Sequence, residues 1–92
     1  MLIIRETFIA KPGQASSLAK MLKEAMADTD KVLVLADYIG EFNKVVMETT
    51  IESLADFDKR VEQYRNDQAM RDKMKNYADL YQTGGREIYR IV

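Results

Sequence analysis

Four charged residues stand inside stretches that otherwise read as β-strands: Arg5, Glu6, Glu48 and Arg90. Burying an unpaired charge is costly, so such residues either pair with each other or face a hydrated cavity where they can contact a ligand. Strand alternation turns Arg5, Thr7 and Glu48 to one face of the sheet. We expect Arg5 and Glu48 to form a structural ion pair rather than a catalytic one. Glu6 fits this assignment poorly, and the reverse orientation of the first strand stays open.

Tyrosine is frequent, with five in 92 residues. Tyr64, Tyr77 and Tyr81 recur at helical spacing, which predicts packing in a core or interface with the hydroxyl groups reaching water. Tyr38 and Tyr89 fall in predicted strands, where they either line a cavity or pack in the ordinary way.

The sequence has no histidine, cysteine or tryptophan, so it lacks side chains that several kinds of catalysis and metal binding require. Without histidine and cysteine, the usual side chains for zinc and haem ligation are missing, as is the commonest general base. No calcium loop, dinucleotide fingerprint or Walker A motif is present. We therefore predict no metal and no cofactor, and we assign no catalytic residue.

The charge balance excludes some partners, because 14 basic and 15 acidic residues leave a net charge of −1. Such a balance gives no electrostatic reason to expect nucleic acid or an anionic membrane surface. The apolar start, Met1–Ile4, runs directly into Arg5 and lacks the apolar core of a signal peptide. No segment approaches the roughly 20 apolar residues of a membrane span. We expect a soluble, cytoplasmic protein.

The predicted elements follow the order β-α-β-β-α-α-β in a single domain of residues 1–92. The predicted strands are Leu2–Ala10, Val32–Ile39, Lys44–Ile51 and Arg86–Val92, and the predicted helices are Gln14–Asp28, one that begins after Ser53, and Gln68–Gln82. Right-handed crossovers place the strands in the order fourth, first, third, second in an antiparallel sheet with helices on one face. This is a ferredoxin-like α+β fold.

Local signals mark where the predicted helices begin, end and bury their faces. Ser53 is a predicted N-cap with Asp56 at the N3 position, and Asn66-Asp67 is predicted to interrupt the helical pattern and cap the next helix. Gly84-Gly85 is predicted to end that helix. The alternating charges of Asp56–Glu62 predict a solvated face. The apolar stripe of the second helix is Leu54, Phe57, Val61 and Tyr64.

Three short sequence motifs follow one another along the chain: Phe8-x-x-Lys11-Pro12-Gly13, Gly40-x-x-Asn43-x-Val45 and Ser53-Leu54-Ala55-Asp56. Their arrangement resembles the NIPSNAP-like branch of the dimeric α+β-barrel superfamily, which includes antibiotic-biosynthesis monooxygenases, EthD-like proteins and chlorite dismutase relatives. The resemblance implies a homodimer in which two sheets pack face to face as a barrel, often with a cavity between sheet and helices. Isologous two-fold pairing is also the commonest oligomer geometry.

The resemblance does not carry over a reaction. Haem-degrading members rely on a histidine and cofactor-free monooxygenase members on tryptophan and asparagine placements, and this chain has neither histidine nor tryptophan. One hypothesis is a dimer that binds a small apolar or aromatic molecule in the barrel cavity, with or without a monooxygenase-like reaction. The alternative is a non-catalytic assembly module whose barrel is filled by its own side chains. The candidate ligand-binding residues are Arg5, Thr7, Tyr38, Glu48 and Arg90.

Overall fold

The secondary structure follows the predicted β-α-β-β-α-α-β order in a computed structural model that describes residues 1–27, 29 and 31–92. The strands are β1 (Leu2–Ala10), β2 (Val32–Ala36), β3 (Lys44–Ile51) and β4 (Tyr81–Arg90). The helices are α1 (Ala15–Ala25), α2 (Leu54–Asn66) and α3 (Gln68–Lys73), and a short 3₁₀ turn follows at Tyr77–Asp79. None of the helices among these residues is long and apolar enough to cross a bilayer.

The four strands form one antiparallel sheet in the order β2-β3-β1-β4. The two central strands lie in a register that sets Arg5 opposite Glu48. On its other side β1 pairs with β4, and Glu6 lies opposite Arg86. The predicted strand order and the ferredoxin-like α+β fold are confirmed.

The core lies between the sheet and α1. Leu18 and Leu22 of α1 are fully buried, as is Val45 of β3. Ile4 and Phe8 are buried on the same side of the sheet, so alternating residues of β1 face the helices. This settles the orientation of the first strand.

Two turns fix the entries to α1 and β3. The Gln14 amide donates a hydrogen bond to the Lys11 carbonyl at 2.9 Å, and Gly13 between them has a φ of 79°. This is a type II turn, in which the third residue needs the left-handed region that glycine adopts readily. Asn43 has a φ of 64° directly before β3, and its carbonyl accepts the Ala10 amide at 2.7 Å.

The prediction for the C-terminal third of the chain was wrong in its boundaries. α3 ends at Lys73 rather than at Gln82, and β4 begins at Tyr81 rather than at Arg86. Gly84 and Gly85 do not end a helix but lie within β4, opposite Phe8 and Thr7. A Cβ atom on Gly84 would lie 2.7 Å from the Thr7 carbonyl oxygen. Glycine is therefore required there by close approach of two strands.

Two further boundaries differ from the prediction. β2 ends at Ala36 rather than at Ile39, and the predicted strand residue Tyr38 lies in the connection to β3. α1 ends at Ala25, and position 28, where the predicted helix ends, is outside the described residues. Its C-terminal amide, that of Met26, is bonded to the Leu22 carbonyl at 3.0 Å.

α2 begins as predicted but packs less closely than its apolar stripe suggests. The Ser53 hydroxyl accepts the Asp56 amide at 3.2 Å, and Asp67 in the same way caps α3 by accepting the Met70 amide at 3.0 Å. No residue of α2 is buried, and Leu54 at its start is 59% exposed. The helix stands away from the sheet, and a cavity lies between them.

Candidate functional site

The sheet face that carries no helix has an ion pair at its centre. Arg5 Nε donates to Glu48 Oε2 at 2.9 Å across the two central strands, as the sequence predicts. The Arg5 side chain is 41% exposed and the Glu48 side chain 21% exposed. The hydrogen bond and the charge of Glu48 raise the pKa of Arg5, which keeps the guanidinium charged.

Two residues of β4 extend this polar centre. The Cζ atom of Arg5 lies 5.2 Å from the centre of the Tyr89 ring, within cation–π distance. The Tyr89 hydroxyl in turn donates to Glu87 Oε2 at 2.5 Å, and this hydrogen bond raises the pKa of Tyr89. The four side chains of Arg5, Glu48, Glu87 and Tyr89 thus satisfy one another.

Apolar side chains surround this polar centre on the helix-free face. Leu33 and Leu35 of β2 are 57% and 43% exposed, and their partners in β3 are Glu48 and Val46. Residues directly opposite each other on adjacent strands point to the same face of the sheet, so both leucines lie on the face of the ion pair. The face is an exposed apolar surface around the Arg5–Glu48 pair.

The structure brings together three of the five predicted site residues. Arg5, Thr7 and Glu48 share the helix-free face by strand alternation, and Thr7 also contributes to the lining of the cavity on the other side of the sheet. Tyr38 is 96% exposed in the β2–β3 connection and away from this group. Arg90 lies opposite Leu2 in the pairing of β1 with β4. Leu2 and Ile4 alternate onto the same side of the sheet, so Arg90 lies on the side that faces the helices. A single site does not contain all five.

The cavity on the opposite, helix-covered side has a volume of about 920 Å³. This lies at the upper end of the range typical of small-molecule sites. Most of its lining is apolar, and polar groups enter from α2, β1, β3 and β4. Its lining includes Ile4, Glu6, Thr7, Phe8, Leu22, Met26, Val32, Met47, Thr49, Phe57, Arg60, Val61, Tyr64, Arg65, Met70, Met74, Tyr77, Tyr81, Gly84 and Arg86.

Glu6 is explained by its partner in this cavity. Arg86 Nε donates to Glu6 Oε1 at 3.2 Å, and the Arg86 Cζ atom lies 5.0 Å from the centre of the Phe57 ring. The pair therefore links β1 and β4 to α2 at one edge of the cavity. A charged residue among the helix-facing positions of β1 is thus satisfied by its β4 neighbour.

Arg60 is a cavity residue that the sequence analysis missed. It was predicted to be part of a solvated charge run, whereas it is half-buried and its Nη1 donates to Thr49 Oγ1 at 3.2 Å. One signal was available: Arg60 follows Phe57 by three positions and so lies beside the apolar stripe of α2. Thr49 is the strand neighbour of Glu48 and therefore lies on the helix-facing side of β3.

Aromatic side chains close the cavity at the end formed by β4. Phe8 and Tyr81 meet edge to face at 5.2 Å between ring centres, and Tyr77 stacks on Tyr81 at 5.7 Å. Burial raises the pKa of the Tyr77 hydroxyl, with smaller contributions from Tyr81 and Tyr64. The predicted packing role of these tyrosines is confirmed, although Tyr77 lies in a 3₁₀ turn and Tyr81 in a strand. Among the described residues, no three acidic side chains gather as a metal site.

Neither a protein-family model nor a curated protein matches this chain. Solved structures do match over its whole length. Protein Atu4242 from Agrobacterium tumefaciens has a TM-score of 0.87 at 17% identity, covering 100% of this chain and 94% of its own. An uncharacterized NIPSNAP domain protein from Burkholderia xenovorans has a TM-score of 0.86 at 11% identity, with coverages of 100% and 95%.

An antibiotic biosynthesis monooxygenase-like protein from Chloroflexus aurantiacus is also similar, with a TM-score of 0.77 at 14% identity and coverages of 99% and 92%. At these identities the similarity concerns the fold. The resemblance found in the sequence and the similarity of the structures agree. The chain has the fold of NIPSNAP family structures.

Proposed function

We propose that this protein is a homodimer that binds a small apolar or aromatic molecule in the cavity between α2 and the sheet. The observation that carries the proposal is the gap beneath α2. Phe57, Val61 and Tyr64 form an apolar stripe toward the sheet, yet no residue of the helix is buried. A stripe of this kind normally closes onto its sheet, because apolar burial stabilises the fold. Here it lines a space of about 920 Å³.

The composition of the cavity supports a small-molecule ligand. Binding sites for such ligands combine a mostly apolar wall with a few polar groups that orient the molecule. The wall is supplied by methionine, leucine, valine and aromatic side chains, and the polar groups are the Glu6–Arg86 pair and Arg60 with Thr49.

The helix-free face supports the dimer. Leu33, Leu35 and Tyr89 expose large apolar areas around the Arg5–Glu48 pair. A second copy that covers this face would bury those side chains and meet a centre in which Arg5 and Glu48 are already paired. Face-to-face pairing of two sheets is also what the sequence resemblance to dimeric α+β barrels implies. A cytoplasmic location remains part of the proposal.

A neutral fluorescent ligand, N-phenyl-1-naphthylamine, tests the binding function because its emission rises in an apolar site. We expect saturable binding of one molecule per chain in the wild type and loss of binding in Val61→Trp, whose larger side chain fills the cavity. The matched control is Leu33→Ser on the other face of the sheet, which keeps the binding. Absence of saturable binding, or equal binding by Val61→Trp, overturns the proposal. Circular dichroism verifies that both variants are folded.

The assembly-module alternative rests on the same helix-free face, where Arg5 and Glu48 pair with each other rather than with a ligand. Under that alternative the protein dimerises but does not take up the fluorescent ligand. Light scattering tests whether the protein dimerises at all, because a mass near 10.6 kDa at micromolar concentration excludes a dimer.

A further inference from the structure

We propose that the ligand of this cavity carries one carboxylate, which Arg60 binds against an apolar body held by the rest of the wall. The inference rests on the proposed binding function and adds the charge of the ligand. It comes from comparing the ion-pair partners of the arginines that line the cavity. Among the described residues, Arg60 is the cavity arginine that forms no ion pair with an acidic side chain.

The arginines at the cavity differ in how they are neutralised. Arg86 pairs with Glu6 at 3.2 Å, and Arg65 pairs with Glu62 at 3.7 Å. On the other face of the sheet, Arg5 likewise pairs with Glu48. Arg60 has no carboxylate within ion-pair distance among the described residues, and its recorded side-chain partner is the neutral hydroxyl of Thr49.

The surroundings of Arg60 favour a charged partner. Its side chain is half-buried and lies among cavity residues, where an unpaired charge has lost part of its hydration. A guanidinium group has five N–H donors, and the hydrogen bond to Thr49 uses one of them. The remaining donors are available to a planar anion.

The Thr49 contact also fixes where this cation lies. Thr49 Oγ1 accepts from Arg60 at 3.2 Å and donates to the Thr50 carbonyl at 3.4 Å, so its hydroxyl is oriented as an acceptor. The guanidinium is thereby held against β3, beside Met47, Phe57 and Val61 in the cavity lining. Arginine forks match a carboxylate with two parallel hydrogen bonds. The chemistry that fits is an aromatic or alkyl carboxylic acid with its tail among these apolar side chains.

Two compounds of the same size test the charge of the ligand: 2-naphthoate and 2-naphthamide, each used to displace N-phenyl-1-naphthylamine. If Arg60 forms charge-assisted hydrogen bonds with the ligand, 2-naphthoate should displace the fluorescent ligand at a concentration about one tenth, or less, of that needed for 2-naphthamide. In Arg60→Gln the two compounds become nearly equivalent. Arg60→Lys keeps the charge without the fork and retains part of the preference. Lys59→Gln is the matched control, because it removes the same charge from the exposed neighbouring position of α2 and leaves the preference intact.

The outcomes separate the two proposals. A carboxylate preference that Arg60→Gln abolishes and Lys59→Gln preserves supports the anionic ligand. If the fluorescent ligand binds but the preference is absent, or persists in Arg60→Gln, the inference fails while the binding function stands. If the fluorescent ligand does not bind to the wild type, both proposals fail. If Arg60→Gln does not fold, Arg60→Lys replaces it: a carboxylate preference equal to that of the wild type overturns the two-bond arrangement. Thr49→Val changes no charge and is expected to weaken the carboxylate preference.

Discussion

Arg5 and Glu48 lie directly opposite each other on the two central strands, and their side chains meet at 2.9 Å on the face of the sheet that no helix covers. The pair neutralises two charges that would otherwise oppose contact between this face and another apolar surface. On the other side of the same sheet, Glu6 and Arg86 form a second pair across β1 and β4. The two pairs therefore lie on opposite sides of the sheet, one at the centre of the helix-free face and the other at the edge of the cavity.

Removing either partner of the Arg5–Glu48 pair is expected to weaken the dimer that we propose. Arg5→Met or Glu48→Gln leaves one charge without its partner in an interface from which water is excluded, so the dimer dissociation constant should rise about tenfold or more. The double variant removes both charges of the pair, leaves only the Glu87 carboxylate with its hydrogen bond from the Tyr89 hydroxyl, and is expected to lie closer to the wild type than either single variant. Sedimentation equilibrium measures the three constants.

The control for this experiment is Glu52→Gln, which removes a carboxylate from an exposed position just beyond β3. It should leave the dissociation constant unchanged. The same variants also test the location of the ligand site, because the proposed cavity is on the other side of the sheet. Loss of fluorescent-ligand binding in the folded Arg5→Met variant would place the site on the helix-free face and contradict the cavity assignment.

Gly84 and Gly85 are expected to differ sharply although they are neighbours in one strand. A methyl group on Gly84 would lie 2.7 Å from the Thr7 carbonyl oxygen, whereas one on Gly85 meets nothing within 4 Å. We expect Gly84→Ala to lower the free energy of unfolding by about 1–3 kcal/mol, because backbone atoms must move apart. Gly85→Ala is the matched control and should change it by less than about 0.5 kcal/mol. Urea unfolding measures both, and equal effects would show that the close approach is not the cause.

The sequence predicted those parts of the fold that depend on local chemistry. Alternation in Leu2–Ala10 and Lys44–Ile51 predicted both central strands with the bounds that the structure has. The glycine pair in β4 was misread, because two glycines after a helical pattern also fit a helix end. Their strand conformation depends on pairing with β1, which is distant in sequence. The i, i+4 spacing of Tyr77 and Tyr81 likewise suggested one helix face, but their rings stack from a turn and a strand.

The candidate site was less predictable than the fold for a related reason. The Arg5–Glu48 pair follows from strand register, and the sequence predicted it correctly. Arg60 lies in a run of alternating charges that is typical of a solvated helix face. Only the position of α2 over the sheet brings it to Thr49 and the cavity, and that position is not encoded in local periodicity.

The N-cap of α2 makes a separate contribution to stability. The Ser53 hydroxyl accepts the Asp56 amide at 3.2 Å, so Ser53→Ala leaves a helix-end donor without a protein partner. Such changes cost about 1 kcal/mol. Ser17→Ala is the control, because Ser17 is exposed within α1, whose N-cap forms no side-chain hydrogen bond. Thermal unfolding of the two variants measures the difference, and a loss in Ser17→Ala as large as in Ser53→Ala would contradict a specific capping role.

The raised pKa of Tyr77 predicts a loss of stability at alkaline pH. Burial of the hydroxyl raises this pKa above its ordinary value of about 10 in the folded state. The unfolded chain therefore loses this proton first, and ionisation stabilises the unfolded state as the pH rises. The contribution of Tyr77 to stability is complete below about pH 10 and decreases above it, up to the pKa of the folded state.

Tyr77→Phe removes this ionisation while keeping the ring that stacks on Tyr81. In urea unfolding at pH 9 and pH 11, the wild type should lose more stability between the two pH values than Tyr77→Phe does. Tyr89 also has a raised pKa, but it is present in both proteins and cancels from the comparison. Tyr38→Phe changes a tyrosine that is 96% exposed and should retain the pH dependence of the wild type. If Tyr77→Phe and the wild type lose stability in parallel, burial of the Tyr77 hydroxyl does not contribute to the alkaline transition, and the aromatic end of the cavity is more accessible to water than the structure indicates.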